Sequence, residues 1–316
     1  MLAAAMLRRS TLFAIACLAL AGGCARLPST GVTSLKPATS SELRGYVLNH
    51  KADVDQFRLR GPFEVATHKD HELHLSATER IDADLYLSAP AEKAPLVILL
   101  HGHDNSKEDH AYQALHLATW GIHSLAVQIP SNGPWVDNGR TLARIVTLIH
   151  RRPDIIDSRI DVNKIILVGH SFGGAAVAIA LAEGAPAAGG ILLDPAGIGK
   201  ELPKFLRQID KPVMLLGADE RLSPVRDRSD FFHYIRSGIA EVSIRDASHE
   251  DAQFPLEPAP QEPGTDSSAT EELKITFVSA LTSAAFSLGH TGSFDWAWTS
   301  FGDAIENDKF FNAIKK

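Results

Sequence analysis

The sequence predicts an α/β fold with a mostly parallel, doubly wound sheet and helices on both faces. Apolar runs of strand length, such as residues 95–102 and 165–168, are continuous, as is typical of strands that are covered on both sides. These runs alternate along the chain with helix-like segments, and repeated strand–helix–strand units form parallel sheets. Neither an internal repeat nor a change of composition marks a second folded domain in the sequence.

Local patterns predict the elements in order. Residues 82–89 alternate apolar and polar side chains, which is typical of a half-exposed strand. After the strand at 95–102, a helix is predicted to begin at Ser106, which has Asp109 three residues on, and to end at Gly121. The remaining predicted strands are 123–130, 163–169, 189–196, 211–218 and 240–247, and the remaining predicted helices are 138–152, 171–184, 225–238 and 269–289.

The first residues differ from the rest of the chain. Arg8 and Arg9 precede an uncharged, largely apolar stretch at 10–23, which is too short to span a bilayer comfortably and predicts an export signal. Small residues directly before Cys24 resemble the lipobox of bacterial lipoproteins. The resemblance implies removal of residues 1–23, lipidation of Cys24 and anchoring in the bacterial cell envelope. The alternative is ordinary cleavage of an exported protein, with Cys24 incidental.

The rest of the chain divides into three parts. Residues 24–44 are rich in Ser, Thr and Pro, which predicts a flexible tether. Residues 45–290 are the predicted folded domain, interrupted by a proline-rich, acidic loop at 250–268. Residues 291–316 are predicted to pack on this domain as one terminal helix. The connection at 194–211 between two predicted strands is short, so only a minimal lid is expected.

Composition restricts the classes of partner. The formal charge is −7 and no cluster of Lys and Arg offsets it, which disfavours nucleic acid as a ligand. The two cysteines are Cys17 and Cys24, so a mature chain that begins at Cys24 has neither a disulfide nor a catalytic thiol in its folded part. We expect a monomer.

The candidates for chemistry lie at the carboxyl ends of the predicted strands, where open α/β sheets bind their ligands. Residues 169–173 read Gly-His-Ser-Phe-Gly, between a predicted strand and a predicted helix. This is the G-x-S-x-G pattern of a nucleophile elbow, whose glycines allow a tight turn that exposes the hydroxyl of Ser171. The backbone amide of Phe172, at the start of the helix, would stabilise an oxyanion. The alternative is a phosphate-binding corner, but the lysine and the glycine spacing of such motifs are missing.

A serine hydroxyl needs a base, and the base needs an orienting acid. Downstream of Ser171 the candidates for the base are His233, His249 and His290. His233 lies in a predicted helix beside aromatic residues and His290 ends the last predicted helix, whereas His249 follows the last predicted strand on a loop. We therefore predict that His249 is the base.

Four motifs, in this order along the chain, resemble the α/β-hydrolase superfamily. Within it they are most similar to the dienelactone-hydrolase-like and polyester-hydrolase-like esterases. The motifs lie at residues 95–109, 159–176, 217–224 and 247–252. The likeness covers about residues 60–290 and implies an α/β-hydrolase fold with a serine, an acid and a histidine in that chain order.

The acid of this triad is open among three carboxylates. In the superfamily it often lies in G-x-x-D-x-x-x-P, and here Gly217 and Pro224 put Glu220 at the acid position. Asp219 is the first alternative. Asp194, at the end of the preceding predicted strand, is the second.

Further candidates follow other strand ends. The resemblance implies that the backbone N–H of His103 completes the oxyanion hole with that of Phe172. Trp135 would line an acyl or alcohol pocket, and the alternative for it is structural packing. His101 and His103 also have the spacing of a metal-binding pair, but metallo-hydrolases use H-x-H-x-D-H, and Asp104 follows His103 directly. No metal site is predicted.

Together these residues predict a serine hydrolase of carboxylic esters that needs no cofactor. Its substrate would be a small-molecule or polymeric ester. An amidase, a peptidase or a thioesterase of the same fold is an alternative. A non-catalytic envelope-binding protein on a hydrolase scaffold is another, although the presence of both Ser171 and His249 argues against it.

Overall fold

One mixed sheet lies at the centre of the fold. The computed structural model describes residues 39–90, 92–220, 228–236, 238–256 and 267–316, and its sheet has nine strands. These strands are β1 (Val65–His74), β2 (Arg80–Ser88), β3 (Ala94–Leu100), β4 (His123–Gln128), β5 (Ile160–His170), β6 (Gly189–Leu193), β7 (Val213–Gly217), β8 (Ile239–Ile244) and β9 (Phe310–Lys315).

The strand order makes the centre of the sheet parallel. The order is β1-β2-β4-β3-β5-β6-β7-β8-β9. The pairings from β4 through to β8 are all parallel, whereas β1 with β2, β2 with β4 and β8 with β9 are antiparallel. In this register Leu167 of β5 pairs with Ile98 of β3 on one side and with Gly190 of β6 on the other. The predicted mostly parallel sheet is confirmed.

Helices cover both faces of this sheet. Along β3, Leu96 and Ile98 belong to the apolar cluster under the helices at 135–151 and 172–182, while Val97 belongs to the cluster under those at 111–119 and 267–291. Successive side chains of a strand point to opposite faces, so a strand covered on both sides is apolar throughout. The helices are α1 (Ser40–Asn49), α2 (Ala111–Thr119), α3 (Trp135–Arg151), α4 (Phe172–Ala182), α5 (Leu202–Leu206), α6 (Ser229–Tyr234), α7 (Ser267–Thr291), α8 (Asp295–Ser300) and α9 (Gly302–Glu306).

The connection from β6 to β7 carries only one helix, the five-residue α5. The predicted minimal lid agrees with this short segment. Among the described residues, no helix has both the length and the apolar character that crossing a membrane requires.

At the N-terminal end, the predicted tether overlaps a helix. Residues 1–38, which include the predicted signal peptide and Cys24, lie outside the described residues. Helix α1 begins at Ser40, so the last residues of the predicted tether (24–44) are helical. The cause is local, because Thr39 forms a capping box with the third residue of the helix, each side chain accepting a bond from the other residue's backbone N–H.

At the C-terminal end, the extension is not the single helix that was predicted. It consists of α8, α9 and the strand β9, which pairs antiparallel with β8. Phe310 of β9 is buried, and its ring lies edge-on to that of Phe301, with the ring centroids 5.2 Å apart. The first residues of the predicted loop at 250–268 belong to the short 3-10 helix His249–Ala252. Residues 257–266 of this loop lie outside the described residues.

Buried histidines make the fold sensitive to acid. Burial lowers the pKa from its ordinary value of 6.5 to about 4 in four of them, which are His110, His116, His123 and His290. In the unfolded chain these side chains regain ordinary values, so between pH 6.5 and 4 the unfolded state binds more protons than the folded state. The free energy of unfolding therefore decreases as the pH falls through this window.

We expect the free energy of unfolding, measured by urea titration, to decrease steadily below about pH 6.5, by up to about 1.4 kcal/mol per pH unit for each such histidine. His116→Gln should show a shallower decrease, since it removes one of the four groups and keeps a donor for the backbone carbonyl of Phe57, which lies 2.8 Å from Nε2 of His116. The matched control is His50→Gln at an exposed position, which should leave the slope unchanged. Equal slopes in His116→Gln and the wild type would contradict this account.

Candidate active site

Ser171 lies at the turn between β5 and α4. Its backbone has φ 55° and ψ −127°, a conformation that residues other than glycine rarely adopt. The turn is held because the N–H of Ser171 donates to the carbonyl of Leu193 (3.1 Å) and its carbonyl accepts from the N–H of Ala196 (2.9 Å). A Cβ at Gly169 would lie 2.3 Å from the carbonyl oxygen of Gly173, so the approach of strand and helix requires glycine. This is the geometry that the G-x-S-x-G pattern predicts.

His249 and Asp194 meet at the same edge of the sheet. His249 begins the short 3-10 helix that follows β8, and Asp194 comes directly after β6. Nδ1 of His249 lies 2.6 Å from Oδ2 of Asp194, whose carboxylate is fully buried. Since a carboxylate is only an acceptor, Nδ1 carries the proton and donates it in this bond. Nε2 is then left with its lone pair, as a general base requires.

The acid beside the ring of His249 is Asp194 and not Glu220, so the structure corrects the prediction of Glu220 as the orienting acid. Oε2 of Glu220 accepts from the backbone N–H of His249 (3.0 Å), not from its ring. Oδ2 of Asp219 accepts from the backbone N–H of Asp246 (3.1 Å). The backbone N–H groups of residues 219 and 220 both donate to the carbonyl of residue 247. That pairing keeps both carboxylates beside the backbone of the turn that leads to His249.

The carboxylate of Asp194 is held on its other side as well. Oδ1 accepts from the backbone N–H of Ala218 (2.9 Å) and from Nη1 of Arg228 (2.5 Å). The residue has φ 38°, and its own N–H donates to the carbonyl of Leu216 (2.8 Å). Three separate donors, the imidazole among them, therefore fix the plane of this carboxylate.

A comparison with known families agrees with this arrangement. The model of the alpha/beta hydrolase family matches residues 97–302, which reach from β3 to the start of α9 and include Ser171, Asp194 and His249. The chain belongs to the alpha/beta hydrolase family. No curated protein matches it. The predicted superfamily and fold are confirmed.

A second histidine of the hydrolase, His170, packs against His249. His170 is fully buried, and its Nε2–H donates to the backbone carbonyl of His249 (3.1 Å). The two rings pack with their centroids 4.5 Å apart. Burial, and then the nearby His249 and His110, hold the pKa of His170 well below its ordinary value. The hydrolase therefore packs a neutral ring against the imidazole of His249.

Both residues predicted to donate to an oxyanion lie next to the serine of the hydrolase. Phe172 begins α4, at the positive end of the helix macrodipole. His103 follows Gly102, where an added Cβ would lie 2.9 Å from Cβ of Ser171. The loop after His103 is fixed because the N–H of Asp104 donates to the carbonyl of residue 131 (3.1 Å).

Trp135 belongs to an aromatic cluster beside Ser171. Its ring stacks on that of Phe172 with the centroids 5.5 Å apart and the planes inclined by 21°. The ring of His103 lies 5.9 Å from Phe172 and 6.5 Å from Trp135. The predicted substrate-binding residue and the two predicted oxyanion residues thus share one wall of the site.

The two histidines of the candidate metal pair, His101 and His103, lie in different surroundings. His101 is fully buried, with Nδ1 2.9 Å from the carbonyl of Gly102 and Nε2 3.0 Å from that of Ile129. His103 is exposed, and its Nε2 lies 3.4 Å from a carboxylate oxygen of Asp104. No group of three His, Cys, Asp or Glu side chains able to hold a metal ion occurs within the part of the chain that the structure describes.

Two residues of this site, His170 and Arg228, were not predicted from the sequence. His170 is the neighbour of Ser171, and its position at the end of a buried strand was a usable signal that it would lie beneath the site. Arg228 has no such signal, because it is one of three arginines between residues 221 and 228 and nothing in the sequence distinguishes it.

Proposed function

We propose that this hydrolase cleaves carboxylic esters with Ser171 as nucleophile, His249 as base and Asp194 as the orienting acid. The observation that carries the proposal is the 2.6 Å contact between Oδ2 of Asp194 and Nδ1 of His249. It fixes the tautomer in which Nε2 accepts a proton, at the sheet edge where the strained turn holds Ser171.

The first half of the reaction forms an acyl-enzyme. Oγ of Ser171 attacks the ester carbonyl carbon while its proton passes to Nε2 of His249. The carbonyl oxygen becomes an oxyanion, which accepts hydrogen bonds from the backbone N–H groups of Phe172 and His103. The carboxylate of Asp194 stabilises the imidazolium that forms. The bond to the alcohol oxygen then breaks, and His249 gives its proton to that oxygen.

The second half releases the acid. Water attacks the acyl carbon while His249 takes one of its protons, and the new tetrahedral intermediate collapses with Oγ of Ser171 as leaving group. The proton on His249 returns to Oγ, so the enzyme is regenerated without a cofactor.

We further propose that the activity is of the type found in the dienelactone-hydrolase-like and polyester-hydrolase-like esterases. The ordered motifs of the sequence support it, and so does the single short helix α5 between β6 and β7, since an open site suits a small or polymeric ester. An activity profile over p-nitrophenyl esters of increasing chain length, with turnover decreasing for long acyl chains, is the expected result. A preference for long chains would contradict this part of the proposal.

A fluorophosphonate probe tests the function itself. We expect the wild type to be labelled once, with the adduct located on Ser171 by mass spectrometry, and Ser171→Ala to remain unlabelled. Ser131→Ala is the matched control, because Ser131 bonds to the loop after His103 through its backbone carbonyl, which the substitution keeps, and it should be labelled like the wild type. Folded wild-type protein that is unlabelled and that hydrolyses neither esters, thioesters nor amides would establish the non-catalytic alternative.

A further inference from the structure

A buried arginine lies behind the carboxylate of Asp194. Nη1 of Arg228 donates to Oδ1 of Asp194 (2.5 Å), and Nη2 donates to the carbonyl of Ala218 (2.6 Å) and to Oγ of Ser243 (3.0 Å). The side chain of Arg228 is only 13% exposed. Its Nε lies 3.8 Å from a carboxylate oxygen of Glu241, which is also buried. The guanidinium is therefore fixed from several sides.

The end of β7 is shaped to admit this guanidinium. Gly217, the last residue of β7, has no side chain, and a Cβ there would lie 2.8 Å from Cζ of Arg228. An arginine is a planar group with several donors at fixed angles, so its place is set by its partners more strictly than that of a lysine. The space at residue 217 and the bonds to Ala218 and Ser243 set one position for it.

With Arg228 in this position, the two carboxylate oxygens of Asp194 bond to different partners. Oδ1 accepts from Arg228 and from the backbone N–H of Ala218, while Oδ2 accepts from Nδ1 of His249. Hydrogen bonds between charged groups are stronger than neutral ones, so the bond to Arg228 resists rotation of the carboxylate about its Cβ–Cγ bond. Such a rotation would move Oδ2 away from Nδ1 and release the imidazole.

We propose that Arg228 is a positioning residue of this hydrolase: it holds Oδ1 of Asp194, so that Oδ2 keeps His249 in the orientation in which Nε2 receives the proton of Ser171. The inference rests on the proposed function and adds a residue to it. Arg228 acts through Asp194 and takes no part in the bonds that are made or broken.

The first test is kinetic and uses p-nitrophenyl esters. Arg228→Met preserves length but removes every donor, and it is expected to lower kcat by about 100-fold, because a displacement of about 1 Å in a reacting group has an effect of this size. KM should change by less than about twofold, since the proposed role of Arg228 is to hold Asp194 and not to bind the substrate. Arg228→Lys, which keeps the charge, should recover part of kcat. A wild-type kcat in folded Arg228→Met, or a loss confined to KM, would overturn the proposal.

A second variant leaves the charges in place. Gly217→Ala keeps Arg228 but occupies the space of its guanidinium, and it is expected to lower kcat in the same direction. The matched control is Arg245→Met. Arg245 forms ion pairs with Asp219 and Asp308 near the same edge of the sheet, and its loss should leave kcat within about twofold of the wild type.

The third readout needs no turnover. The proton shared between Nδ1 of His249 and Oδ2 of Asp194 should give a low-field resonance in the proton NMR spectrum of the wild type and of Arg245→Met. In Arg228→Met and Gly217→Ala we expect this resonance to be lost through faster exchange with water. A wild type that shows the resonance but hydrolyses no ester would contradict the proposed function. An unchanged resonance in both variants would contradict the role of Arg228 but not the proposed function.

Discussion

His249→Gln is expected to lower kcat for ester hydrolysis by about 10⁶-fold, which corresponds to about 8 kcal/mol of lost transition-state stabilisation. A carboxamide cannot take the proton of Ser171, so the hydroxyl attacks as a weak nucleophile. The fold is expected to persist, because the bonds from Glu220 and His170 go to the backbone N–H and carbonyl of residue 249. Steady-state kinetics and the rate of fluorophosphonate labelling measure the loss.

His103→Gln is the matched control for this change. The ring of His103 is 41% exposed, and in the proposed mechanism only its backbone N–H acts, so kcat should change by no more than about threefold. A loss in His249→Gln no larger than that in His103→Gln would exclude His249 as the base.

The parts of the fold and site that could be predicted from the sequence are those that local patterns determine. Residues 165–168 of the strand β5 are apolar on both faces because helices cover both sides of the sheet, and that coverage is visible in the sequence as a continuous apolar run. The turn at Ser171 needs glycines at fixed offsets, and His249 follows the last parallel strand. Each of these features depends on a few consecutive residues.

The edge strand β9 shows where local patterns are insufficient. Of its six residues only the first, Phe310, is buried, and the strand follows two helices of five or six residues. Whether such a segment continues as a helix or joins a sheet depends on the open edge of β8, which lies about seventy residues earlier in the chain. This tertiary pairing is absent from the local sequence.

The identity of the acid could not be predicted for the same reason, because it too depends on tertiary contacts. Asp194 and Glu220 follow neighbouring parallel strands, so both reach the same edge of the sheet. Which of them contacts the imidazole depends on the backbone of Asp194 at φ 38°, on the bond that Glu220 makes to the backbone of residue 249, and on Arg228. The G-x-x-D-x-x-x-P motif contains none of this information.

Asp194→Asn is expected to lower kcat by about 10⁴-fold with little change in structure. The carboxamide can present its N–H₂ to Nδ1 of His249, which favours the tautomer with the proton on Nε2. That nitrogen then has no lone pair for the proton of Ser171, although the geometry of the side chains is preserved. The measurement is kcat with p-nitrophenyl esters, with circular dichroism to establish that the variant is folded.

Glu220→Gln is the matched control, because it makes the same chemical change at the acid that the motif predicted. Its amide oxygen can still accept from the backbone N–H of His249, a bond of 3.0 Å in the wild type, so the turn should stay in place and kcat should fall by no more than about tenfold. The opposite result, a severe loss in Glu220→Gln and a mild one in Asp194→Asn, would mean that the acid after β7 orients His249 during turnover. The contact between Asp194 and His249 would then be a feature of the resting enzyme only.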